Sequence, residues 1–115
     1  MASLAMTLPL LPGKSEAWKQ WTEEMAGTRL EEFQASRKRL GITREVSSLQ
    51  RTPQGDMAVL YLEAEDIARA FLGLATSQDP FDVLFRQQTQ EFFGLDLAQP
   101  PQGPLPETVF DWRAD

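Results

Sequence analysis

Cysteine and histidine are both absent from this sequence. Without cysteine there is no disulfide scaffold and no thiolate nucleophile. Without histidine there is no imidazole base, and the two absences together remove the usual zinc sites and the common axial ligands of haem. The lack of cysteine fits a reducing compartment, and the cytoplasm is the expected location. No apolar run approaches the ~20 residues that a membrane-spanning helix needs. The stretch Met1-Ala2-Ser3-Leu4-Ala5-Met6 carries no charge of the kind that opens a signal peptide, and it runs into Pro9 and Pro12. There is no Walker motif, no GxGxxG and no Ser-x-x-Lys pattern, so phosphate loops and a serine hydrolase are unsupported. Basic residues are outnumbered 11 to 17, leaving a net charge of −6. Such a chain repels phosphate backbones and anionic lipid, so neither nucleic acid nor a membrane is an expected partner.

What is present suffices for one domain. The chain has 115 residues, 42% of them hydrophobic, and a single core is the natural outcome at that length. Leu4 to Leu11 reads as an opening strand, with Pro9 tolerable on an edge. From Glu16 to Leu40 there is no proline and the residues favour a helix, with Ser15 as its cap. The apolar spacing slips at Gly27-Thr28, which predicts a kink or break there. Gly41 suits the end of this helical stretch. Ile42–Thr52 and Met57–Ala64 read as strands of a hairpin, with Pro53-Gln54-Gly55-Asp56 as the turn. That pairing sets Ser48 opposite Tyr61 and Val46 opposite Glu63. Asp66 then caps a short helix, and Asp79-Pro80 starts another that ends at Gly94. After a Pro/Gly-rich loop over 95–106, Glu107 to Trp112 reads as a last strand. The order is β-α-β-β-α-α-β, an α+β ferredoxin-like domain over residues 1–115, with a four-stranded antiparallel sheet and helices on one face. The other face needs cover, which a second copy can supply.

Two groups of residues stand out as candidate ligand contacts. Trp18, Trp21 and Trp112 offer an aromatic wall, although aromatics at helical spacing also build cores. Arg44, Ser48, Tyr61 and Glu63 share the central strands. There Tyr61, the only tyrosine, can donate a hydrogen bond, and Glu63 can act as a base if burial raises its pKa. Tyr61 and Glu63 are the only catalytic candidates. Arg29, Arg37 and Arg39 read as a solvated helix face. Glu63, Glu65 and Asp66 are not joined by spacing to further carboxylates, so no metal site is expected.

Three stretches carry a resemblance to a known family. Leu11-Pro12-Gly13-Lys14 leads into a Trp-bearing helix, Tyr61-Leu62-Glu63-Ala64-Glu65-Asp66 closes a strand and opens a helix, and Thr108 to Trp112 is aromatic. With these the chain resembles an uncharacterised domain-of-unknown-function family within the dimeric α/β-barrel superfamily. The resemblance implies a homodimer packed sheet to sheet, and a small-molecule cavity between sheet and helices. It also implies no cofactor, since the haem branches of that superfamily use a histidine that this chain lacks. Three functional expectations follow. The first is a homodimer that binds a small molecule or is purely structural. The second is a cofactor-independent monooxygenase or isomerase acting on a small aromatic or polyketide-like compound. The third is an adaptor that presents the Pro-rich segment 100–106 as a polyproline II surface.

Overall fold

In the computed structural model, which describes residues 1–100 and 103–114, the predicted helical break falls at Gly27. It separates α1 (Ser15–Ala26) from α2 (Leu30–Leu40). A strand, β1 (Ala2–Pro9), precedes them. The hairpin β2 (Ile42–Thr52) and β3 (Gly55–Ala64) follows, and then α3 (Ile67–Thr76) and α4 (Pro80–Phe93). The helix ends follow their signals. The carboxylates of Asp66 and Asp79 accept from the backbone N–H groups of Arg69 and Phe81 at 3.0 Å each, and Gly41 and Gly94 close α2 and α4 in the left-handed region. Ser15 departs from its expected role. It is the first residue of α1, and its hydroxyl donates to Asp56 Oδ2 at 2.5 Å, fastening the helix to the start of β3.

Among the described residues the sheet has three strands in the order β1-β3-β2, both pairings antiparallel. The hairpin closes at Thr52 and Gly55 around a two-residue loop, Pro53-Gln54. Gly55 adopts φ +131°, which an L side chain rarely tolerates. Relative to the expected four-residue turn the register moves by two residues. Val46 now faces Tyr61, Ser48 faces Val59, and Arg44 faces Glu63. A slip of two keeps every side chain on its face. At the far end of β2 the pairing shifts between Ile42 and Arg44, leaving Thr43 as the extra residue of a bulge. The bulge turns Ile42 toward the face of Ala64 and Arg44 toward that of Glu63.

The fourth strand is a correction. Glu107–Trp112 forms no strand, and residues 104–114 are exposed without secondary structure. The α+β class stands, but not the four-stranded sheet, nor the barrel that two such sheets would make. The physical reason is that alternation records only a tendency to extend. A strand also needs an edge to pair with and a face to bury. Here Val109, Phe110 and Trp112 remain 88%, 84% and 72% exposed, and β1 keeps an unpaired outer edge among the described residues.

The helices cover one face of the sheet. Leu10, Trp18, Trp21, Ala58, Phe81 and Phe92 form its buried core. Trp21 stacks on Phe81 at 6.2 Å, and Phe33 meets Phe81 edge-on. Fully burying such rings contributes on the order of 1.5–3 kcal/mol each. Ala58 and Ala64 are fully buried, and with alternation along the strand they mark the even-numbered residues of β3 as the covered side.

Candidate functional site

The even face of β3 and the helices do not close completely. Between them lies a cavity of about 140 Å³, with Met6, Leu60 and Leu62 from the sheet and Trp18, Trp21, Phe71 and Phe85 from the helices among its lining. The wall is mainly apolar, interrupted by Thr22 and Thr89 and by the Arg37–Glu45 pair. An apolar cavity of roughly 150 Å³ accepts a molecule the size of benzene, so the space suits one ring.

Beside the cavity runs a buried polar relay. Arg37 is 6% exposed. Its Nε donates to Glu45 Oε1 and its terminal nitrogen donates to Ser36 Oγ at 3.0 Å, while the guanidinium lies over Phe33 and Phe85 at 4.6 and 4.4 Å from the ring centres. Ser36 in turn donates to Asp82. Asp82 is fully buried and also accepts from Ser77 Oγ at 2.6 Å and from Arg39 at 3.2 Å. Burial pushes the Asp82 carboxyl upward, but the hydrogen bonds from Ser36, Ser77 and Arg39, with the charge of Arg39, outweigh it and hold the group below the usual carboxylate range. No buried side-chain polar atom among the described residues lacks a partner. The relay therefore holds α2, α4 and the loop before α4 together.

Among the described residues the opposite face of the sheet bears no helix. Alternation places Arg44, Val46, Ser48 and Gln50 of β2 beside Met57, Val59, Tyr61 and Glu63 of β3, with Ser3, Ala5 and Thr7 of β1. Tyr61 donates its hydroxyl to Glu63 Oε2 at 2.6 Å. That bond holds the phenol above its ordinary pKa. Burial and the Glu63 charge add to the rise, and Ser3 and the positive charge of Arg113 pull it back. Arg44 makes no ion pair among the described residues, although it stands opposite Glu63.

The sheet thus divides the candidates. Arg44, Ser48, Tyr61 and Glu63 come together on the open face. Trp18 and Trp21 pack behind the covered one, and Trp112 lies in the exposed C-terminal segment. The space between the tryptophans and the Tyr61 strand is the cavity itself, whose lining includes Trp18, Trp21, Leu60, Tyr61 and Leu62, while the Tyr61 hydroxyl bonds Glu63 on the open face. Of the Pro-rich segment, Pro100 and residues 103–106 are exposed, and Pro101 and Gln102 lie outside the described residues. Sequence reasoning missed the relay. Arg37 sits four residues after Phe33 and three before Leu40, on the apolar stripe of α2, and that position was the available signal. Asp82 offered none beyond its place in the first turn of α4.

Among the described residues no group of three or more potential metal ligands converges, and no helix is long and apolar enough to cross a membrane. Fold and site define an α+β domain with one helix-covered sheet face and a small, mainly apolar cavity. The chain belongs to the family of unknown function DUF6176, whose model matches residues 1–99. The match establishes that family and not the wider dimeric α/β-barrel superfamily. No curated protein and no solved structure matches the chain.

Proposed function

We propose that this protein is a homodimer that binds a small, largely apolar ring compound in the cavity between sheet and helices. The cavity itself carries the reading: about 140 Å³ lined by Trp18, Trp21 and aliphatic side chains, with Thr22 and Thr89 as hydrogen-bonding hydroxyls. A pocket of this kind gains from apolar burial and uses a few polar groups to orient its guest. Glu45 has one oxygen engaged by Arg37, and the carboxylate of the Tyr61–Glu63 pair belongs to the other face, so the reading is binding rather than turnover. Arg44, Ser48, Tyr61 and Glu63 then belong to the surface that meets the second copy, where a hydrogen-bonded polar set fixes register. The absence of cysteine supports action in the cytoplasm.

Titration with phenol, followed by the indole N–H resonances, tests the cavity. We expect saturable shifts at Trp18 and Trp21, abolished by Ala70→Leu, because Ala70 lines the cavity and is 2% exposed. Native mass spectrometry of protein taken directly from cells gives the second readout, a releasable mass of one-ring size. Unmoved indoles together with an empty protein would sink the binding role.

A further inference from the structure

Val109, Phe110 and Trp112 are 88%, 84% and 72% exposed, and no other stretch of the described residues sets three large apolar side chains in solvent within four positions. Small soluble domains seldom leave such a cluster uncovered without a use for it. Residues 103–114 make no hydrogen bond, backbone or side-chain, to any other described residue. Pro104 and Pro106 stiffen the approach to the segment. At its far end lies Arg113, whose charge pulls the Tyr61 phenol back toward its ordinary value. The same chain therefore carries an exposed apolar segment and a sheet face that no described helix covers.

We propose that residues 108–112 form an arm that closes over the open sheet face of a second copy of this chain, burying Phe110 and Trp112 against it. The inference rests on the dimer proposed above and names the element that makes it. Area supports a second copy as the occupant. Four aromatic side chains, two from each arm, bury on the order of 600–1,000 Å², close to the ~1,200 Å² at which stable interfaces begin. Val46, 40% exposed on the open face, and its neighbours supply the remainder. Charge supports it as well. The face carries Arg44 and Glu63, and the arm contains Asp111 and is flanked by Glu107 and Arg113. Both surfaces bear both signs, as a two-fold contact between identical patches requires.

Sedimentation velocity on the full chain and on the double variant Phe110→Ser/Trp112→Ser tests the arm. The wild type is expected at twice its 13.0 kDa. The variant is expected to associate at least tenfold more weakly, with an unchanged far-ultraviolet spectrum, since both side chains are exposed in the single chain. A variant that dimerises as the wild type does would overturn the arm and leave the dimer standing. A wild type that stays monomeric at all concentrations would overturn the dimer, and the arm with it. A monomeric wild type whose melting temperature falls on substitution would show that the arm packs on its own sheet, which also overturns the proposal.

Discussion

The two faces of the sheet are built from the same strands, yet they behave as different materials. On the covered face, Trp18, Trp21 and Phe81 are no more than 6% exposed, and even the charged groups beneath the helices are fully partnered. On the open face, one residue removed along the same β3, polar side chains mix with Val46, Met57 and Val59, and the Tyr61–Glu63 bond is made at the edge of water. The difference teaches where function can reside. Material as tightly packed as the covered face is altered only at the cost of the fold, except where it leaves a space such as the cavity beside Trp18 and Trp21. On the open face a substitution leaves the core of the single chain intact, so its cost falls on whatever that face meets.

That contrast should appear first as a gap in stability. Trp21→Ala, which removes the ring stacked on Phe81, is expected to cost about 3–5 kcal/mol in urea unfolding. A loss below about 1 kcal/mol would mean that the covered face is not the core. Next in size is Asp82→Ala. It strips the buried hydroxyl of Ser36 and the half-buried one of Ser77 of an acceptor and unties α2 from α4, at an expected cost of about 2–3 kcal/mol near neutral pH. The native state favours the ionised carboxyl of Asp82. The associated stability is complete above the unfolded-state value of ~3.9 and is lost as pH falls below it through the native one. The gap between wild type and variant should therefore narrow only in acid below about pH 4. A gap of constant size down to pH 2 would contradict the assigned ionisation. The smallest effect belongs to the open face. Tyr61 is the only tyrosine, so its phenolate absorbance titrates alone. It should rise above the ordinary ~10 in the wild type and move down in Glu63→Gln, with stability changed by no more than about 0.5 kcal/mol. An unchanged titration would show that Glu63 does not govern the phenol.

Local chemistry made much of this fold legible. Asp66, Asp79 with Pro80, Gly41 and Gly94 mark helix ends because each satisfies or terminates its own backbone, and Gly27 weakens the helix it interrupts. The hairpin was legible to its faces but not its register. Pro53 to Asp56 all have turn character, and composition does not say that Gly55 and Asp56 already belong to β3. The last strand illustrates a limit of another kind. Thr108-Val109-Phe110-Asp111-Trp112 alternates as a strand does, but pairing is decided by an edge about a hundred residues away. The relay was illegible for a related reason. Charged residues are seldom fully buried, and the partner that permits it for Ser36 lies 46 positions further on. Of the candidate site, the grouping of Arg44, Ser48, Tyr61 and Glu63 on one surface was readable from period two. Their separation from Trp18 and Trp21 by the thickness of the sheet was not.

The placement of the three indoles has an optical consequence. In the single chain Trp18 and Trp21 sit in an apolar interior and Trp112 in water, and closure of the arm on a second copy would shift the Trp112 emission to the blue. The blue edge of the fluorescence spectrum therefore follows the interior, and the red edge follows the C-terminal segment. A soluble quencher such as iodide reaches only the second. The chain carries two colours of intrinsic label, one for each region, and events in the two can be timed separately in one unlabelled sample.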